Sequence, residues 1–226
     1  MTVRPAFLIA IAALGAGSPA AGSGKPPLPA RPAIAQAAVE PPSRTAAQII
    51  NWVIQTHNNK DQPFIVIDKV AAELFVFDAS GRALQQTPVL IGIAKGDLSA
   101  PGVGDMELSK IPLADRTTPA GRFLAFFGPA AGHAKNILWV DYDNAISLHP
   151  VITSNPAEHR LMRLQSPTPA DNRITFGCIN VDAQFYKTVV DPLFHPGGGV
   201  VYVLPEERSL SDVFAGFSPD EPHDGS

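Results

Sequence analysis

Residues 174–181 read ITFGCINV. The run is rich in β-branched and aromatic side chains, the composition of a strand, and it holds Cys178, the only cysteine in 226 residues. Its reading decides the fold, because what lies around that thiol depends on where the strand runs and where Gly177 interrupts it. Composition alone leaves three roles open to a lone cysteine: a small core hydrophobe, a site for bonding to a second chain, or a nucleophile working as its thiolate.

The N-terminus bears on the choice. Arg4 is followed by the apolar run AFLIAIAALGA and the small residues GSPAAG, the layout of a secretory signal peptide. The run falls short of the ~20 residues that span a bilayer, so residues 1–20 are expected to be cleaved near Ala20, with export to the periplasm and no stable membrane insertion. An exported chain meets an oxidising compartment, where cysteines are normally paired. A single cysteine closes no disulfide within its own chain.

Residues 21–42 are rich in Pro and Ala without apolar periodicity and read as an extended linker. The remainder suffices for one domain with a sizeable core. With 17 basic and 21 acidic side chains, a formal charge of −4 and no basic cluster, nucleic acid is excluded as a partner. The histidines other than His149 show no metal-ligand spacing, so neither a metal nor another cofactor is expected.

In SRTAAQIINWVIQTHNN, Ser43 is a candidate N-cap, and Ile49, Ile50, Val53 and Ile54 recur at helical spacing, which predicts a helix within 43–62. FIVIDKV, AELFVFD, SGRAL and TPVLIGIA follow as short strands, with a turn at Asp78–Gly81. Residues 95–115 read as a long loop. RTTPAGRFLAFFG, ILWVDYD and AISLHPV are further strands, PAEHRLMRLQ a short helix, RITFG a strand, VDAQFYKTVVDPLF a helix and GGGVVYVLP a closing strand. The expected domain is mainly β with peripheral helices over 63–205, with a C-terminal tail at 206–226.

The pattern resembles the L,D-transpeptidases of the YkuD type. The resemblance is carried by VIDKVAAELFVFDASGRAL, by TTPAG at 117–121, by SLH at 147–149 and by TFGCIN at 175–180. It implies a YkuD-like β-sandwich or barrel catalytic domain. It further implies that Cys178 is the catalytic nucleophile and His149 its general base, with Thr175, Gly177, Asn180 and Arg173 around the oxyanion and substrate positions. Activity on peptidoglycan stem peptides through a thioester is implied, the acyl acceptor being a stem amine, an envelope lipoprotein lysine or water. Chemistry asks for the pair in any case, since an isolated thiol is only a few per cent ionised at neutral pH and an imidazole shifts it toward thiolate.

This chain departs from the family in three places. Phe176 stands where most members have a histidine, which also leaves open an inactive wall-binding descendant. The link between His149 and Cys178 is longer than usual, and its extra residues are either a lid or substrate contact, or a surface decoration. Pro150 follows His149 in place of a small polar residue, which leaves a backbone carbonyl to orient the imidazole. Arg173, Arg160 and Arg163 are either contacts for substrate carboxylates or solvated charges, and His133 and His159 are candidates to approach the cleft.

Overall fold

The computed structural model describes residues 41–130 and 136–218. The expected signal segment, nearly all of the expected linker, and His133 lie outside them.

Helix α1 spans Arg44–Thr56, with the Ser43 side chain accepting from the Ala46 N–H at 3.1 Å. Its buried residues, Ala46, Ile49, Ile50 and Val53, form one face at helical spacing. Strands β1 (Phe64–Asp68), β2 (Glu73–Phe77), β3 (Ala83–Pro88), β5 (Gly121–Pro129), β6 (Asn136–Asp141), β7 (Ile146–Pro150), β9 (Ile179–Val181) and β10 (Gly199–Val203) form one sheet in the order β3-β2-β1-β10-β5-β6-β7-β9. Strand β1 runs parallel to β10, and β7 parallel to β9. The short β4 (Ile91–Gly92) pairs in parallel with β8 (Arg173–Thr175). A bridge between Leu90 and Asn180 brings the chain leaving β3 against β9, so the sheet rolls into a nearly closed barrel.

The apolar runs FIVI and GVVYV lack alternation because both faces of β1 and β10 are covered. Ile65, Ile67, Val201 and Val203 point into the barrel with Leu74, Leu138, Leu148 and Ile179. Phe64, Val66, Val200 and Tyr202 point outward and are sealed by the buried face of α1 and by Phe214. Phe64 stacks on its register partner Phe77 with ring centroids 4.6 Å apart.

Three expectations are corrected. The strand expected over RITFG stops at Thr175 as β8, and a further strand, β9, begins at Ile179 in the other sheet, because Gly177 at φ 127° turns the chain between them. The helix over 183–194 is interrupted: Ala183–Phe185 and Asp191–Phe194 flank a wide π-turn at Tyr186–Val190. Pro192 has no N–H to complete the α-helical ladder there. The described part of the supposed tail belongs to the domain, since residues 206–208 are hydrogen-bonded to Asp97 and Phe214 is buried.

That last contact is part of a buried ionic cluster. The Lys69 ammonium, 1% exposed, donates to Asp97 Oδ1 at 2.8 Å, to the Gly96 carbonyl at 2.6 Å and to the Thr118 carbonyl at 2.9 Å. Asp97 also accepts the N–H groups of Glu206, Glu207 and Arg208. Burial pushes the Asp97 carboxyl up, yet Lys69 and these amides outweigh it and hold it at about 2.

Removing one partner of a buried pair leaves the other unpaired, so Lys69→Met should lower unfolding free energy by about 3–5 kcal/mol in urea titrations. Because the folded Asp97 carboxyl titrates near 2, below its ordinary value, its contribution is full above about pH 4 and lost as pH falls toward 2. The variant should show a weaker dependence over that window.

Candidate active site

The parallel register of β7 on β9 sets Leu148 opposite Ile179 and His149 opposite Asn180. Alternation then sends Leu148 and Ile179 into the barrel and turns Ser147, His149, Cys178 and Asn180 to the other side. The thiol and imidazole, distant in sequence, line one cleft together with Thr175, Phe176 and Arg160. An apolar pocket walled by Val103, Met106, Ile111, Ile146 and Phe176 also reaches the sulfur. Cys178 is half-buried and lines both.

The turn that carries Cys178 is knitted from within. Thr175 Oγ1 accepts the Gly177 N–H at 3.1 Å and donates to the Cys178 carbonyl at 2.6 Å. Thr118, from the TTPAG turn, donates its hydroxyl to the Gly177 carbonyl at 2.7 Å and accepts the Gly92 N–H at 2.9 Å. A Cβ on Gly177 would stand 2.6 Å from the Thr117 carbonyl oxygen and 2.8 Å from Ile146 Cδ1. Glycine is thus required by the positive φ and by packing on the TTPAG turn, in addition to any place at the oxyanion and substrate positions that the family resemblance implies. Its N–H is already engaged.

The thiol lies 3.6 Å from the Ala145 carbonyl, which accepts its S–H, and 3.5 Å from the Ser147 hydroxyl. Burial pushes the Cys178 thiol up, but hydrogen bonding and charge from His149, with hydrogen bonds from Ser147, bring it below its ordinary value. Burial pulls the His149 imidazole down, while the hydrogen bond and charge of Cys178 and the Pro150 carbonyl carry it above its ordinary value. The two opposite displacements are those of a coupled acid and base. His149 Nδ1 donates to the Pro150 carbonyl at 2.8 Å, which supplies the backbone orientation of the ring.

The remaining sequence candidates separate. Asn180 is fully buried and bonded to His149 Nε2 at 3.1 Å, so it addresses the imidazole. Thr175 holds the turn. Arg173 leaves the cleft: its guanidinium is paired with Glu206 and donates to the carbonyls of Lys69, Gly92 and Ala94, because β8 aims it at the ionic cluster. Arg163 bonds the Glu158 and Asp171 carbonyls and holds the inserted segment together. Arg160 heads helix α2 (Arg160–Leu164) and reaches the cleft. His159 caps the preceding turn in a left-handed conformation.

Ser147, the first residue of the SLH motif, has no role from the motif itself, yet its position two residues before His149 on β7 turns it to the thiol. Phe176 forms part of the cleft wall, with the Arg116 guanidinium 4.0 Å from its ring centroid. Among the described residues, no group of three His, Cys, Asp or Glu side chains could hold a metal ion.

No family model matches the sequence, and no curated protein matches it in sequence. Among solved structures, the chain is similar to the catalytic domain of an L,D-transpeptidase from E. faecium, with 15% identity and a TM-score of 0.38, covering 64% of this chain and 98% of that one. It is also similar to an L,D-transpeptidase from Xylanimonas cellulosilytica, with 14% identity, a TM-score of 0.40 and coverage of 63% and 60%. A third is the helical cell shape determining protein Pgp2 from Campylobacter jejuni, with 14% identity, a TM-score of 0.42 and coverage of 71% and 57%. The chain therefore spans under two thirds of the latter two. These neighbours lend no residue its role.

Alkylation of Cys178 by iodoacetamide should rise with pH at a midpoint below the ~8.5 of a free cysteine, and His149→Ala should move that midpoint upward. Phe176→His should fold, with a loss of about 1 kcal/mol or less in thermal or urea unfolding, since a half-exposed ring and one cation–π contact are exchanged.

Proposed function

We propose that this chain is a cysteine acyltransferase of the cell envelope, an enzyme of the L,D-transpeptidase kind that acts on peptidoglycan stem peptides through a thioester at Cys178. The observation that carries this reading is the meeting of His149 on β7 and Cys178, in the turn that leads into the neighbouring β9, at an open cleft, with their proton affinities displaced toward each other. The substrate class follows from the likeness of the TTPAG, SLH and TFGCIN motifs. The signal-peptide layout of residues 1–20 supports export to the periplasm.

In this reading His149 takes the thiol proton at Nε2, because Nδ1 is committed to the Pro150 carbonyl; for this the thiol leaves the Ala145 carbonyl and displaces the Asn180 NH2 from Nε2. The sulfur attacks the carbonyl carbon at the stem's cleavable bond. With the Gly177 N–H engaged by Thr175, the Cys178 N–H is the main-chain donor nearest the oxyanion, where one such donor lowers the barrier by about 3–4 kcal/mol. Collapse breaks the C–N bond, and the departing amine takes the proton back from His149. An acceptor amine then gives its proton to His149, attacks the thioester and releases the sulfur. An amine on another stem yields a cross-link, a lipoprotein lysine yields an anchored protein, and water in its place yields a trimmed stem.

Incubation with a carbapenem followed by intact mass measurement should give one covalent adduct on the wild-type protein. Cys178→Ser should give none, and His149→Ala should lose acylation. Phe176→His should retain or raise it. Absence of any adduct on a folded wild-type protein would favour a wall-binding module, the reading that Phe176 in place of the usual histidine motivates. Muropeptide analysis of a deletion strain distinguishes cross-linking, anchoring and trimming.

A further inference from the structure

The fully buried Asn180 amide is shared between two partners. Its Oδ1 accepts from Arg160 Nη1 at 3.0 Å, and its Nδ2 stands 3.1 Å from His149 Nε2. A guanidinium carries donors only, so the amide turns its oxygen to Arg160 and its NH2 to the imidazole. A ring nitrogen that faces an NH2 group must be a bare acceptor. On the other side of the ring, Nδ1 stands 2.8 Å from the Pro150 carbonyl, which can only accept. Both neighbours demand the same tautomer, protonated at Nδ1 and bare at Nε2.

We infer that Arg160, supplied by the segment inserted between β7 and β9, is a positioning residue that fixes the Asn180 amide, thereby sets the tautomer of His149, and opposes ionisation of the Cys178–His149 pair before substrate arrives. Once Nε2 is protonated, its N–H points at the Asn180 NH2, two donors facing each other, and the proton is readily handed to the departing amine. Without Arg160 the amide is free to rotate and present Oδ1 to a protonated Nε2, which stabilises the charged pair. Arg160 is itself held by an ion pair to Glu158. Of the other charged side chains near the thiol, Glu158 lines the same cleft, Asp115 lines the apolar pocket, and Arg116 is stacked on Phe176.

This assignment deepens the proposed function but requires only the thiol and the imidazole, and its test uses no peptidoglycan. The pH profile of Cys178 alkylation by iodoacetamide is measured on the wild type, Arg160→Met and Arg160→Lys. Arg160→Met should move the midpoint to lower pH by about one unit, so that alkylation below the midpoint is roughly tenfold faster, while Arg160→Lys keeps a donor to Asn180 and stays near the wild type. An unchanged or raised midpoint in folded Arg160→Met overturns the assignment. Long-range 1H–15N NMR of His149 in the wild type gives a reading that needs no variant: the proton on Nδ1 supports the assignment, and the proton on Nε2 overturns it. A wild type that carries the Nδ1 tautomer yet forms no carbapenem adduct would refute the acyltransferase reading and leave this one standing.

Discussion

Lys69 places an ammonium where water does not reach, and the cost of burying it governs how distant parts of the chain meet. A buried charge survives only if its solvation shell is rebuilt from protein groups. Here the shell comes from Asp97, from the carbonyls of Gly96 and Thr118, and from nearby Glu206, 3.6 Å away. Those groups belong to the start of the long loop, the TTPAG turn and the segment after β10. Each is held at the end of β1 because Lys69 has nothing else to bond. Glu206 in turn receives Arg173, which binds β8 into the same cluster.

The consequence reaches the thiol in two bonds. Lys69 holds Thr118 through its carbonyl, and Thr118 holds Gly177 through its hydroxyl. The turn bearing Cys178 is thus fixed from behind by a charge cluster and from within by Thr175. On the other wall of the cleft, the β7–β9 register brings His149 alongside. A thiol held by a doubly clamped turn beside paired strands has its position fixed by the fold itself, the preorganisation that the proposed acyl transfer requires. Phe176 alters the lining of this cleft while leaving the clamps intact, since neither Thr118 nor Thr175 bonds to its side chain.

The inserted segment between His149 and Cys178 is held by Arg163 and by packing of Leu164, and its chemical contribution is one guanidinium. Arg160 lies behind Asn180 at the point where a donor-only group dictates the orientation of a buried amide. The segment between β7 and β9 thereby bears on how a proton is held at His149. Hydrogen-bond polarity carries the effect, because every partner in the row from Arg160 to the Pro150 carbonyl has its donor and acceptor roles fixed by the next.

Much of the scaffold was legible before any coordinates. The spacing of Ile49, Ile50, Val53 and Ile54 marked α1, whose buried face takes the first three and Ala46, the runs FIVI and GVVYV read as strands, and the SLH and TFGCIN motifs singled out His149 and Cys178, each from its own local pattern. These features depend on backbone periodicity and on neighbours a few residues away, which a sequence displays directly. What the tertiary structure alone decided was the assignment of buried polar partners. Arg173 turned from the cleft to Glu206, Gly177 answered to Thr117 and Ile146, Asn180 addressed an imidazole, and the supposed tail sealed the outer face of the sheet with Phe214. Each of those choices is made between segments far apart along the chain, by strand register and by the need of buried donors and acceptors for complementary groups, and no local pattern encodes which segment will supply them.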